Sequence, residues 1–415
     1  MRMRPLFSIV STVIVAFSFA RVVEAADWPG ILGANRDGVA ADERLGRELT
    51  VVWRHPVGTG WAGPAAADGK VVVFHRLGNE AVAEALAADD GAVLWRFTYP
   101  TLYRDSFNFD NGPRAVPTID VESNLVFLYG AEGMLHALRL DTGVKVWAVD
   151  TVAEYGSDQG FFGRGSSPLV AGDTLIALIG GENGAGIVGL DKRTGTLRWK
   201  AADHEVSYAS PVLVTLEGRA RVLALTRRAL LLIDPADGRI LAEQPFRASI
   251  SASVLAATPL VSGGEVFLSA CYGAGAGVHG FSEAGFEPRW FAEDVLENHY
   301  TNSVRVGDDL YGFHGRQDIP PPAELRCVGW ADGAVRWSTA LRGVGSVLTD
   351  GRRLLVVMET GDIHIADADP AGFQPLVSRQ LLTMPIRAQP ALSGGRLLVR
   401  DSEQLLSVSV APAAP

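Results

Sequence analysis

The stretch Leu125–Asp150, LVFLYGAEGMLHALRLDTGVKVWAVD, reads as three short strands joined by two turns. LVFLYG is an apolar run of β-branched and aromatic residues, and Ala131-Glu132-Gly133 turns the chain. MLHALRLD alternates, which predicts one buried face. Asp141-Thr142-Gly143 turns the chain again, and VKVWAVD carries Trp147. Glycine accepts a positive φ without steric cost, which is what such tight turns require. A lone three-stranded meander is marginal in water, so the stretch implies neighbours of its own kind.

Those neighbours are present. ALAADDGAVLW (Ala85–Trp95), IVGLDKRTGTLRW (Ile187–Trp199) and CVGWADGAVRW (Cys327–Trp337) repeat the unit, and looser copies put Leu241, Trp290 and Val377 at the tryptophan place. The repeat returns every 40–52 residues, the period of a propeller blade. Trp53 has the end of a unit without its beginning, and LLSVSV (Leu405–Val410) has a beginning without an end. The fold expected is therefore all-β: a single eight-bladed β-propeller of four-stranded blades, its ring closed by N- and C-terminal strands sharing one blade. Such closure leaves no exposed end to the array. In this reading the strand before each Asp-Gly or Thr-Gly turn is the inner strand of its blade.

Outside the ring, residues 1–25 read as a cleaved signal peptide. Arg2 and Arg4 precede an apolar run from Leu6 to Ala20, too short to span a bilayer comfortably, with cleavage after Ala25 or Ala26. No cysteine stands there to take a lipid, so the protein is expected in the periplasm or outside the cell. Residues 26–48 form an N-terminal arm, 49–410 the propeller and 411–415 a disordered tail. The chain is acidic, with a net charge of −10, which disfavours nucleic acid and anionic membrane surfaces as partners. No later stretch is apolar enough to be a transmembrane segment. Cys271 and Cys327 fall in adjacent blades and read as two buried free thiols. No metal-binding cysteine spacing is present.

The unit GMLHALRLDTGVKVW resembles the PQQ-type (pyrroloquinoline quinone) propeller repeat, found in BamB-like outer-membrane assembly propellers and in quinoprotein dehydrogenases. The arm DWPGILGANRDGV resembles the opening of secreted BamB-like propellers. The resemblance implies that Trp53, Trp95, Trp147, Trp199, Trp290 and Trp337 pack between neighbouring blades. The dehydrogenases also need a vicinal cysteine pair, a calcium held by carboxylate and Asn, and a catalytic Asp. The chain has no adjacent cysteines and no matching acidic set. No cofactor is expected, and pyrroloquinoline quinone with calcium enters only under an alternative, oxidoreductase reading.

Several patterns imitate chemistry. His136, His279 and His364 share one repeat position, so they read as packing residues spread around the ring, with His299 and His314 as weaker candidates. GGENGAG (Gly180–Gly186) has no lysine-serine after it and no helix, so it reads as a hairpin turn and not a phosphate loop. Gly163-Arg164-Gly165-Ser166 precedes a strand, the reverse of a hydrolase nucleophile elbow. Two insertions, Thr98–Gly112 and Thr151–Gly163, should emerge on one face from consecutive blades, where binding residues collect. Together with the residues that start the strands, they nominate Trp61, Tyr103, Arg104, Asp105, Asn111, Arg114, Arg164, Tyr208, Asn302, Arg387 and Gln389. Arginine offers a planar fork suited to carboxylate or phosphate. These residues predict a monomeric binding or scaffold propeller for a protein or a small anionic ligand. The alternative role for the arginines is as struts paired with Asp105, Asp110 and Asp158.

Overall fold

The computed structural model describes residues 27–251 and 253–412. The signal peptide assigned to 1–25 and positions 413–415 of the tail lie outside them. Thirty-two strands form eight antiparallel four-stranded sheets. Seven are consecutive in sequence. The eighth joins Ala391–Ser393, Arg396–Arg400 and Gln404–Ser409 to the N-terminal strand Thr50–Pro56, with Trp53 opposite Ser407. The two orphan half-units thus complete one blade.

The strands read from sequence as inner are third in their blades. In blade two the order is Thr118–Asp120, Leu125–Tyr129, Met134–Arg139, Lys145–Asp150, and the innermost is the three-residue strand. Innermost strands of neighbouring blades touch one another around the axis, as Ala65–Ala67 does with Thr118–Asp120 and with Ala391–Ser393. The third strand is also buried on both faces, because blades stack face to face. Alternating exposure belongs to the outermost strand, where Val144, Lys145 and Val146 are exposed and Trp147 is buried.

Trp53, Trp95, Trp147, Trp199 and Trp290 each form one joint with the next blade's turn glycine, whereas Trp337 bonds the Asp369 carbonyl with no glycine against its ring among the described residues. Trp147 Nε1 donates to the Lys192 carbonyl at 3.0 Å, and a Cβ on Gly195 would stand 2.8 Å from the Trp147 ring. Trp95 makes the same joint with Leu140 and Gly143, and Trp199 with Pro235 and Gly238. The turn glycine is therefore fixed twice, by its positive φ and by the ring lying on it. The side chains of Leu241 and Val377 have no N–H to make this bond.

The arm is not a loose lead-in. Trp28 pairs with Ala66 through two backbone hydrogen bonds of 2.7 and 2.8 Å, and the Ile119 N–H donates to Pro29. Arg36, fully buried, donates to the carbonyls of Ser167, Pro168 and Pro211, just ahead of the innermost strands of blades three and four. The chain then returns: Ala40 donates to Thr349, Leu45 to Asp350 Oδ2 and Gly46 to Val410. Asp27 meets the turn that follows the innermost strand of blade one, and Leu45 meets the corresponding turn of blade seven. The arm enters and leaves the central channel by one end, and its Ile31–Arg36 bend fills the middle. Cys271 and Cys327 are buried and unpaired. No described helix is long and apolar enough to cross a membrane.

Candidate functional site

At the opposite end of the channel is a cavity of about 520 Å³, within the range of small-molecule sites. Ile31 of the arm lines it, so the channel is a cup with one mouth. Most of its wall comes from loops that join one blade's outermost strand to the next blade's innermost strand, and Tyr272 and Arg316–Asp318 come from turns between the second and third strands of blades five and six. Both insertions reach it from consecutive blades, through Phe107, Phe109, Phe161 and Phe162. The first insertion starts later than sequence suggested, because the preceding strand runs on to Pro100. The second opens with a short helix, Thr151–Tyr155, that the all-β reading did not contain. Asp150 caps its start through Val152 and Ala153 N–H, and Gly156 ends it in the left-handed conformation.

Six of the nominated residues meet at the cup: Trp61, Arg114, Tyr208, Asn302, Arg387 and Gln389. The Trp61 ring has both guanidinium carbons at 4.8 Å, close enough for cation–π attraction. Arg114 is held from behind. It donates to Gly112 and Asp110 carbonyls at 2.5 and 2.7 Å, sits over Tyr103 at 5.1 Å, and has Asp105 at 3.5 Å. Its Nε has no hydrogen-bond partner although the side chain is buried. Arg387 stands among the rings of Trp61, Phe109 and Tyr300. Its Nε is likewise buried and unpartnered, as is Gln389 Oε1, and no carboxylate lies within 4 Å of it among the described residues. Unpaired buried donors are costly, and native structures contain few of them.

The other nominated residues lie behind the wall, and Tyr208 and Asn302 also brace it. Asp105 accepts from Phe109 N–H at 2.7 Å and Asn111 Oδ1 accepts from Asp105 N–H at 2.9 Å, so both shape the phenylalanine loop. Arg104 folds back onto the Tyr103 carbonyl. Arg164 turns away from the cup onto the carbonyls of Ser157, Ala131 and Glu132, with no carboxylate partner among the described residues. Tyr208 lines the cup and anchors the second insertion, its hydroxyl accepting from Phe161 and Phe162 N–H at 2.9 and 3.1 Å. Asn302 Oδ1 accepts from Thr258 N–H at 2.7 Å.

The wall from blades five and six is closed on itself. Tyr272 hydroxyl and His299 Nε2 are 2.6 Å apart, His299 Nδ1 meets Gln317 at 2.8 Å, and Arg316 chelates Asp318. Burial raises the Tyr272 hydroxyl to about 12 and lowers the His299 pKa. Burial also pushes the Tyr300 hydroxyl well up, with the Glu359 carboxylate beside it acting the same way. Neither phenol is a proton acceptor near neutral pH. Sequence reading had left out the four phenylalanines, Tyr272, Tyr300 and the Gln317–Asp318 turn. The available signal was the concentration of phenylalanine in loops otherwise polar enough to be solvated.

A calcium ion finds no free carboxylate in this lining. Asp318 is the single carboxylate of the lining and is taken by Arg316. Cys271 donates to the Glu297 carbonyl, its thiol pushed up to about 12 by burial. No group of three or more acidic, histidine or cysteine residues poised for a metal occurs among the described residues. His136 is buried against Phe97 and Tyr99 of the preceding blade, at ring distances of 5.3 and 4.4 Å.

The family model described as outer membrane protein assembly factor BamB matches residues 39–202 and 78–318, more than half of the chain. The chain belongs to this BamB-like propeller family. No curated protein matches it. Among solved structures it is similar to BamB from Moraxella catarrhalis, at 18% identity and a TM-score of 0.63 over 87% of this chain and 98% of that one. It is also similar to the quinohemoprotein alcohol dehydrogenase of Comamonas testosteroni, at 14% identity and 0.53 over 94% and 81%. The computationally designed Ika8 protein gives 11% and 0.57 over 87% and 99%. At these identities the likeness to solved structures carries the BamB-like fold and nothing about ligands.

Proposed function

We propose that this chain is an exported, non-catalytic binding or scaffold propeller of the cell envelope that holds a small anionic ligand, or the carboxylate of a protein partner, in its cup. The observation that carries the reading is the pair of arginines beside Trp61, both with a buried Nε lacking a partner. An oxyanion supplies two to four acceptor lone pairs in a plane, which matches an arginine fork. The blind cup supports capture and release through one mouth. The signal-peptide reading of residues 1–25 supports export to the periplasm or beyond.

The test is a melting-temperature series on the mature chain with acetate, phosphate and short peptides bearing a free C-terminus. Binding to the folded state alone raises the melting point with concentration. Arg387→Gln is expected to remove that rise without lowering the melting point of the free protein. Dye reduction on addition of pyrroloquinoline quinone and calcium would replace this reading with the oxidoreductase one.

A further inference from the structure

The cup is polar in one corner and apolar over its mouth, and this division describes a ligand. Phe107, Phe109 and Phe162 form a set of near-parallel rings. Phe107 lies 5.1 Å from Phe162 at 27°, 6.0 Å from Phe109 at 15°, and Phe109 lies 6.3 Å from Phe162 at 19°. Phe107 is 49% exposed and Phe109 61% exposed. The two loops that present them are nonetheless tightly specified. Asp105 receives the Phe109 N–H, Asp110 receives those of Gly60 and Gly112, and Tyr208 receives those of Phe161 and Phe162. A fixed loop that holds phenylalanines out of the core leaves apolar surface uncovered at a concave site, which marks a binding surface. Ile250 continues the apolar surface across the mouth, itself 51% exposed.

We infer that the ligand is an amphiphilic oxyanion with a flat apolar body: its head sits between Arg114 and Arg387, and its body lies against the phenylalanine slats. This rests on the binding reading above and specifies the class of ligand. The head is assigned to that corner because Tyr272, His299 and Gln317, and likewise Arg316 and Asp318, already satisfy one another on the wall of blades five and six. The body is flat because near-parallel rings offer faces for offset stacking, whose gain is lost on a bulky branched body. Carboxylate, phosphate and sulfonate share the head chemistry, and the experiment separates them.

Isothermal titration of the mature chain uses acetate, cyclohexanecarboxylate, 2-naphthoate, 2-naphthyl phosphate, naphthalene-2-sulfonate and neutral 2-naphthol. Expected is a dissociation constant for the best naphthyl anion at least tenfold below that of acetate and several-fold below that of cyclohexanecarboxylate, with 2-naphthol weaker than all naphthyl anions. The rank among the three naphthyl anions identifies the head. Phe107→Ser is expected to weaken the naphthyl anion at least fivefold and acetate less than twofold, because only the naphthyl body is assigned to the rings, with a cooperative melting transition showing that the variant is folded. If acetate binds and the naphthyl anions gain nothing, or if Phe107→Ser changes nothing, this inference falls and the anion-binding reading stands. If none of the anions binds, both fall.

Discussion

At the seam between blades eight and one, Glu84 is completely buried and takes hydrogen bonds from His55, His75 and Arg96, whereas in the cup Arg114 and Arg387 are left with unanswered N–H groups. Both regions hold buried or half-buried charge, and both join residues from opposite ends of the chain. At the seam every group has its partner. His75 Nδ1 accepts from Gly58 N–H, so its Nε2 carries the proton that it donates to Glu84. Burial by itself would raise Glu84, but the bonds from His75, His55 and Arg96 outweigh it and hold the carboxyl at about 2. Nearby Arg400, fully buried and lowered to about 10 by burial, spends its donors on the carbonyls of Asp401, Phe74 and Gly58. The lesson is that buried charge alone does not mark function in this ring. The charges at the seam have their partners, whereas each cup arginine keeps a buried Nε without one.

Glu84→Ala should break that comparison most severely. It leaves two histidines and an arginine facing an empty buried site, and truncating one member of a buried ionic network typically costs about 3–5 kcal/mol. Denaturant unfolding of the mature chain measures it, and a loss below about 1 kcal/mol would mean that the seam does not rely on this carboxylate.

Next in size is Arg164→Met, which removes a buried guanidinium from three carbonyl partners near the cup. A loss of about 2–3 kcal/mol is expected in the same unfolding assay, from hydrogen bonds to a charged group. The same measurement on Arg387→Met should show a change within about 0.5 kcal/mol, because that guanidinium gives up no carbonyl bonds of the kind Arg164 makes and methionine keeps an apolar contact with the rings around it. Equal losses for the two would erase the distinction between strut and site.

Acid separates the two regions as well. Glu84 lies below its ordinary 4.5 when folded, so its contribution is complete above about pH 4.5 and is lost as pH falls towards 2. His75, His136 and His314 are held neutral by burial, the last two down to about 4. The unfolded chain takes up those protons first as pH drops below about 6.5, which also favours unfolding. Stability should therefore be greatest above about pH 7 and decline in two stages. Glu84→Gln should flatten the stage below pH 4.5 and leave the histidine stage, as followed by urea unfolding across pH.

The ring was legible in sequence because propeller blades are local. Each hairpin turn and its alternating strands are fixed by neighbouring residues, and the period of Trp95, Trp147 and Trp199 exposes their repetition. Arg114, Arg387 and Trp61 were also legible, since residues at the start of innermost strands must converge on the axis. Which strand of a blade lies innermost was misread, because the short strands such as Thr118–Asp120 carry almost no pattern of their own. The helix Thr151–Tyr155 was missed because one turn is too short to show a period.

The sequence by itself determined the number of blades, the shared closing blade and the two insertions, all of which follow from short-range backbone and side-chain preferences repeated at a fixed interval. Only the tertiary structure decided that the arm plugs the channel, that Arg164 is bound to carbonyls while Arg387 lies among rings with its Nε unpartnered, and that four phenylalanines flank a mouth. Those outcomes depend on which carbonyls and rings arrive from other blades. Ser167 and Pro211 come to Arg36 from more than 130 residues away, and no local pattern records that meeting.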